Sequence, residues 1–554
     1  MTDHEKLAEL LFPEDLPSPE ELEERYPLRK IKEGERVTRF APSPTGYMHL
    51  GNMFSAFIDK LCADATGGIF YLRIEDTDKK REVEHGVEKI FEGLTAFGIV
   101  PVEGVMGENE EKGDYGPYRQ SHRREIYHSF AKKLVKNGMA YPCFCSEDEL
   151  NELREKQESE NTAIKGYFGK WAKCRFLPFE EQKRRIEAGE PYVVRLRSDG
   201  DESKKIIVDD LIKGKIEMPE NIQDIVLLKT DGIPTYHFAH AVDDHLMRTT
   251  HVIRGDEWIA SLPVHIQLFK TLGFKPPKYV HISPIMKLDD GNKRKLSKRK
   301  DPEAAVSFYK EEGYPKDSVL EYLLTLANSN FEDWRRANRD ADISAFPFNI
   351  KKMSGSGALF DIAKMNDISK NIISAMSASE VYDKTAEWAK EYDGEFYALL
   401  TKDPEFARSA LNIDRDCPKP RKDIEKWSEV KNYLAYFYDE LYTQDFTLPE
   451  NISPADAAEI TDAYLKVFDI DDDKDAWFNK IKDVCAPLGY TPNVKEYKKD
   501  PGAFKGHVGD ISTVIRIAVT SRRNTPDLHA VMAVLGSDKV IERLKAAEDF
   551  WKNN

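Results

Sequence analysis

The chain is 554 residues long, 40% hydrophobic and 32% charged, with a formal net charge of −16. Length and composition predict a globular protein of roughly three to five domains and exclude a chain that is disordered throughout. The acidic balance excludes a histone-like coat of positive charge, though local basic patches can still meet a nucleic acid; no apolar run reaches the ~18 residues of a membrane helix, so no membrane partner is expected.

Six cysteines are too few for a disulfide framework in this length. The acidic start, MTDHEKLAELLFPEDLPSPEELEERYPLRK, has no basic-then-apolar leader pattern, so a reducing cytoplasm is the expected location. Residues 1–35 read as a short helix plus an extended, solvated acidic tether. From residue 36, RVTRFAPS is an alternating strand and PSPTG a turn; HLGNMFSAFIDKLCADA is helical and stops at Gly67-Gly68. IFYLRIED (69–76) is a second strand, and Val83, Val87, Ile90, Leu94 and Phe97 follow helical spacing. Strand, helix, strand, helix in sequence predicts a parallel sheet covered by helices.

Residues 140–223 break this pattern with three cysteines, long charged runs and the strand-like YVVRLR, and read as an α+β insertion. Strand character resumes at DIVLL (224–228), followed by an Asp231-Gly232 turn, PTYHFA and HVIRGDE as strands, a helix over EWIASLPVHIQLFKTLG, and a strand at KYVHISPIMK. The predicted fold class is therefore α/β: a Rossmann-like doubly wound parallel sheet split by an α+β insertion, followed by a mainly α-helical C-terminal half. That half includes SVLEYLLTLANS, ISKNIISAM, a long helix over EKWSEVKNYLAYFYDELY, and a final VIERLKAAEDFWKN.

Two constellations carry chemistry. The first, RFAPSPTGYMHLGN, lies where the first strand passes into the first helix. Ligands of open α/β sheets bind beyond the C-terminal strand ends, and a helix N-terminus there suits phosphate. Gly51 lets a flat base or phosphate approach the backbone, and His49 can donate to a phosphate oxygen as charge builds. The second, KRKLSKRK (293–300), follows the last strand of the second half. Its lysines can close over a triphosphate and neutralise leaving pyrophosphate. No GxxxxGK[ST] loop is present, and Gly355-Ser-Gly357 is not a dinucleotide fingerprint. Cys143, Cys145 and Cys174 could ligate zinc, but no clean fourth ligand is visible, which favours free thiols. Arg516, Arg522 and Arg523, with the aromatics of 425–440, are candidates for RNA contact or for an ordinary bundle core and solvated face.

The two constellations resemble the HIGH and KMSKS signatures of class I aminoacyl-tRNA synthetases. RFAPSPTG, LRIEDTD, PTYHFA, VDDHLM, HVIRGDEW and KLSKRK together are similar to the bacterial glutamyl-tRNA synthetase family, over about residues 37–365, with IRIAVTSRRNTPDLHAVMAVLG similar to the family's closing segment. The resemblance implies ATP with Mg2+ held by His49, Gly51, Asn52 and Lys298, and a catalytic set of His49, Lys295, Ser297 and Lys298. Asn52 replaces the second histidine of the general signature, and Leu296 stands in for Met. It further implies that Arg39 and Ser43 contact glutamate, that Glu75 holds its ammonium, and that Tyr236 and Arg254 complete the pocket. Some relatives carry zinc at the insertion.

The implied reaction is ATP-dependent formation of glutamyl-adenylate and transfer to the terminal adenosine of tRNA(Glu). The implied domains are an acidic extension (1–35), the catalytic domain in two halves (36–139 and 224–288) around an acceptor-stem insertion (140–223), a phosphate loop with a helical stem-contact domain (289–365), and a helical anticodon-binding region (366–554) in a monomer. Alternatives of the same chemistry are charging of tRNA(Gln) with glutamate as well, or a glutaminyl enzyme, whose PPEPNG differs from the APSPTG here. A small-metabolite adenylyltransferase would not need the insertion or the helical half, and a non-enzymatic RNA-binding protein would not need His49 or KLSKRK.

Overall fold

The structure is a computed structural model and describes residues 1–46, 48–78, 83–297 and 299–554. The chain forms two compact units: Met1–Phe308 with Leu320–Asp361, and Tyr309–Val319 with Ile362–Asn554. No helix among the described residues is long and apolar enough to cross a membrane.

The first unit begins with helices α1 (Asp3–Leu11) and α2 (Pro19–Arg25), each opened by a capping box, from Thr2 and Ser18. The solvated-tether reading of this segment is incorrect. Leu7, Leu11, Phe12, Leu22 and Tyr26 are buried. Arg29 grips Glu103 with two hydrogen bonds (2.8 and 2.6 Å), donates to Met247 O (2.9 Å) and lies 3.8 Å from the Tyr115 ring centroid. The segment's high Glu content hid its few apolar anchors.

The sheet starts with β1 (Val37–Phe40), α3 (Leu50–Asp64), β2 (Ile69–Leu72), α4 (Gly86–Thr95), β3 (Glu103–Val105) and β4 (Glu111–Lys112), with β1, β2 and β3 parallel. After α5 (Arg124–Lys136) comes the insertion: β5 (Ala140–Cys143), α6 (Glu147–Ser159), α7 (Phe179–Glu187), β6 (Val193–Leu196), and the antiparallel hairpin β7 (Lys205–Asp210) and β8 (Gly214–Pro219). β9 (Val226–Leu228) pairs back onto β6. The second half is α8 (Tyr236–Leu246), β10 (His251–Gly255), α9 (Leu262–Leu272) and β11 (Lys278–Ile282), with β10 and β11 parallel. The halves meet edge to edge: Thr250 N–H donates to Val37 O (3.0 Å), and Val37 N–H donates to Thr250 Oγ1 (2.8 Å). The C-terminal ends of β1 and β10 thus share one edge, where a split doubly wound sheet places its ligands.

PTYHFA is not a strand. Thr235 is extended and α8 starts at Tyr236, with Phe238, Ala239, Ala241, Val242 and Leu246 buried. Six residues rich in aromatics mimic a strand, whereas the helical period shows only over the full eleven-residue helix.

The second unit is helical, with Ile362–Ala375, Ala378–Tyr392, Pro454–Leu465, Lys474–Cys485, Val508–Thr520 and Ser537–Lys552 among its longer elements. Val514, Ile515, Leu544, Ala547 and Trp551 belong to its core. The long helix expected over EKWSEVKNYLAYFYDELY is instead a short 3-10 turn (Trp427–Glu429), one α-turn (Val430–Tyr433) and another 3-10 turn (Ala435–Phe437). Trp427, Val430, Leu434, Tyr436, Phe437 and Tyr438 are all buried, so apolar side chains must leave the backbone in every direction, and a single helical stripe cannot do that.

Candidate active site

The site is assembled where β1 ends. His49 caps α3 in extended conformation, and its Nδ1 accepts from Asn52 N–H (3.1 Å). That bond fixes the ring proton on Nε2. A Cβ on Gly51 would sit 2.9 Å from His49 Cε1, so only glycine leaves the ring its place.

On the far side, β12 (Met286–Asp289) and β13 (Asn292–Lys295) form a hairpin whose turn, Asp290-Gly291, has φ of +48° and +80° at its central residues. Two positive φ values make it a type I′ turn, matched to the twist of the strands. The hairpin carries Lys295 and Leu296. Asp301 anchors its base, accepting from Arg294 (2.6 and 2.8 Å) and from Ser297 N–H (2.9 Å). Those contacts, Arg294 foremost, hold the Asp301 carboxyl well below the usual carboxylate range.

These elements enclose a cavity of about 450 Å3. Arg39, Ser43, His49, Gly51, Asn52, Glu75, Tyr236, Arg254 and Lys295 all line it. Ser297 is not on its wall, and its backbone is tied to Asp301. Lys298 lies outside the described residues.

Beneath the cavity runs a buried charge network. Arg39 Nε bonds both oxygens of Asp244 (3.2 and 3.3 Å). Arg73 spans Asp244 (2.7 Å) and Glu75 (3.1 Å). Asp243 accepts from Arg123 (2.7 Å), Tyr127 (2.8 Å) and Gln120 (2.9 Å). Burial works to raise the Asp244 pKa, but Arg39 and Arg73, with His240, hold it well below the carboxylate range. Burial pushes Glu75 up, against the pull of Arg73 and Arg39. Arg254 donates from Nε to His281 Nε2 (3.0 Å) and from Nη1 to His265 Nδ1 (3.2 Å), and makes a long contact with Tyr236 OH (3.5 Å). Trp258 covers the Tyr236 ring at 4.3 Å. Sequence reasoning missed Asp243, Asp244, Trp258, His265 and His281. The first three stand inside VDDHLM and HVIRGDEW, but nothing local marks the two histidines.

A model of the catalytic domain of the class I tRNA synthetases (E and Q) matches residues 35–367, and one of an anticodon-binding domain matches 501–548. The chain belongs to the class I tRNA synthetases (E and Q). It is 50% identical over 546 residues to a glutamate–tRNA ligase of Clostridium perfringens, covering 98% of this chain and 99% of that protein. It is 48% identical to one of Acetivibrio thermocellus, covering 98% and 99%. Among solved structures, a glutamate tRNA ligase from Elizabethkingia meningosepticum in complex with its amino acid superposes with a TM-score of 0.74 at 28% identity, covering 93% of this chain and 99% of that one.

This synthetase holds a second cluster in its insertion. Sulfurs of Cys143, Cys145 and Cys174 lie within 4.8 Å of one another, and Cys145 and Cys174 are 3.6 Å apart. The Tyr167 hydroxyl lies 3.3 Å from Cys145 Sγ and accepts from Cys174 N–H (3.0 Å). The neighbouring thiols hold Cys143 below the usual thiol range. In the helical unit, Arg516 donates to Thr525 O (3.4 Å) and Pro526 O (3.1 Å), Arg522 to Asn432 O (2.6 Å) and Arg523 to Leu448 O (2.7 Å). All three of these RNA-contact candidates therefore brace backbone within their own unit.

Proposed function

We propose that this chain activates L-glutamate with ATP in the cavity between β1 and β10 and transfers it to tRNA(Glu), the glutamate–tRNA ligase reaction. His49 Nε2–H and the first turn of α3 receive the nucleotide phosphates; Lys295 meets them from the hairpin side, and Lys298, which lies outside the described residues, is assigned to the phosphates by the family motif alone. Magnesium carried by the ATP phosphates supplies further positive charge when bound. The glutamate α-carboxylate attacks the α-phosphorus, the bond to the bridging oxygen breaks, and pyrophosphate leaves. The terminal ribose hydroxyl of the tRNA then attacks the acyl carbon and AMP leaves. Neither step uses a protein nucleophile; alignment and positive charge at the phosphates lower the barrier.

Glu75 takes the substrate ammonium, and Arg254, with Tyr236, takes the side-chain carboxylate. Glutamine is isosteric but neutral and would leave a buried guanidinium charge unmatched, a penalty larger than a missing methylene. Residues 140–223 serve the acceptor stem and 366–554 the anticodon end, the latter supported by the family match at 501–548.

One observation carries this reading: His49 from the first half and Lys295 from beyond the second wall a single cavity that also contains Arg254. The test is charging of purified tRNA(Glu) and tRNA(Gln), each with glutamate and with glutamine. Glutamate on tRNA(Glu) is expected; turnover with glutamine alone would refute it. Glutamate on tRNA(Gln) as well would define a non-discriminating enzyme.

The three cysteines are spaced to share a structural zinc ion, since two thiolates on one tetrahedral zinc stand about 3.8 Å apart and Cys145 and Cys174 are 3.6 Å apart. Inductively coupled plasma mass spectrometry of untagged protein should find one zinc per chain, lost in Cys174→Ser. No stoichiometric zinc would refute this.

A further inference from the structure

The charges beneath the pocket do not balance. Arg39, Arg73 and Arg123 are each ion-paired with Asp243, Asp244 or Glu75. Asp59 is also buried near Arg39, but it makes no ion pair among the described residues, and burial raises its pKa well above the usual range against the pull of Arg39. Arg254, also buried, has no carboxylate in ion-pair contact among the described residues, and its Nη2 has no hydrogen-bond partner. It is held instead by two histidines.

The geometry fixes their protonation. A guanidinium only donates, so His281 Nε2 and His265 Nδ1 must each present a lone pair to Arg254. The single proton of His281 then lies on Nδ1, donated to Asp210 Oδ2 (2.7 Å). That of His265 lies on Nε2, donated to His237 Nδ1 (2.9 Å). A second proton on either ring would set N–H against N–H. The Asp210 carboxylate is one ring removed from Arg254, and it is also engaged by the backbone N–H groups of Ile212, Lys213 and His281 (2.9, 2.8 and 3.0 Å).

We propose that His265 and His281 are positioning and specificity-determining residues: as neutral acceptors they fix the Arg254 guanidinium in place while leaving its positive charge for the side-chain carboxylate of the substrate. A carboxylate at either position would hold the arginine equally well and cancel the charge that distinguishes glutamate from glutamine. The proposal rests on the glutamate reading of the site.

The surroundings keep both rings neutral. His265 on α9 faces His237, His240 and Tyr236 of α8 and Arg254 of β10, with Asp244 further off. His281 on β11 faces Arg254, Tyr279 and Asp210, with Asp256 further off. Burial, reinforced at His265 by His240, Arg254 and His237, presses its pKa well below the ordinary value; burial lowers that of His281 too, against the pull of Asp210.

The test is the isosteric pair His265→Asn and His265→Asp in the full chain, each placing an oxygen near the position of Nδ1 and differing in charge. Charging of tRNA(Glu) is measured for glutamate KM, ATP KM and competition by glutamine. The Asn variant should keep glutamate KM within about threefold of wild type, whereas the Asp variant should raise it about tenfold or more, with ATP KM unchanged and glutamine discrimination reduced by a similar factor. Equal glutamate KM values in the two variants, or losses confined to kcat, would overturn the proposal. Should neither variant fold by circular dichroism, the wild-type pH profile decides. Glutamate KM should stay flat from about pH 8 to below the ordinary histidine pKa of about 6.5; a rise centred at or above that value would overturn it. Failure of the glutamate reading itself would show differently, as wild-type protein without glutamate-dependent turnover.

Discussion

Asp244→Asn isolates the charge on which the amino-acid side of the cavity rests. The substitution conserves shape, so no void opens, and one oxygen remains to accept a hydrogen bond. What disappears is the negative charge facing Arg39 at 3.2 Å and Arg73 at 2.7 Å, in a residue that is fully buried. Removing one partner of such a buried pair costs about 3–5 kcal/mol, because the remaining charge cannot regain water. Glu75 and Asp243 still face Arg73, which places the expected loss toward the lower end, about 3 kcal/mol. Urea unfolding followed by near-ultraviolet circular dichroism measures it, in the transition of the unit that contains Asp244.

The sign with pH follows from the depressed native pKa. Asp244 stabilises the fold above its unfolded pKa, about 3.9, and loses that contribution as pH falls through the lower native value. The gap between wild type and variant should therefore be constant from pH 7 to 5 and close only in stronger acid. Glutamate KM should rise as Arg73, which also holds Glu75, loses its anchor. A variant within about 1 kcal/mol of wild type at pH 7, or a gap that fades between pH 7 and 5, would refute the assignment of Asp244 as the anchoring charge.

Gly51→Ala separates stability from chemistry. Alanine favours the first turn of α3 by up to about 1 kcal/mol, but its Cβ displaces the His49 ring from 2.9 Å. Thermal stability should hold or rise while kcat falls about 10- to 100-fold, and unchanged turnover would refute the placement of His49. Arg29→Ala should cost about 3–5 kcal/mol through the loss of Glu103 pairing, seen as a lower melting temperature with glutamate and ATP KM intact. An unchanged melt would return residues 1–35 to the status of a tether. Lys295→Ala should lower the rate of adenylate formation, measured as pyrophosphate exchange, while binding of tRNA persists; near-normal exchange would refute a role at the phosphates.

What was legible in the sequence follows the range of the forces involved. The turn after β1, the glycine beside His49 and the basic run KRKLSKRK are local, because a helix N-terminus and a phosphate each demand particular residues within a few positions; the hairpin that carries part of that run is not, since its basic residues read as a loop. The same locality misled at PTYHFA, where six residues fit a strand and the deciding period needed eleven. It misled again at 427–438, where helix-compatible residues are unwound because their aromatics are buried on every side. At 427–438 burial, a long-range property, overrode a local preference.

The selectivity proposed for the pocket lies on the long-range side of that divide. Arg39 and Arg254 stand at the ends of adjacent strands and are indistinguishable as letters. One is matched by Asp244, which arrives from α8, and the other by imidazoles from α9 and β11. A guanidinium paired with a carboxylate inside the fold has already spent its field, whereas one held by neutral acceptors retains a full charge in a low-dielectric site, where unmatched charge weighs most. On the proposed reading of the site, which arginine meets the substrate carboxylate is therefore decided by which neighbour is an anion. That fact depends on Asp244 and His265, residues more than 200 and 10 positions from Arg39 and Arg254 respectively. Exchanging a neutral acceptor for an anion at His265 should consequently change what the pocket selects without changing how the chain folds.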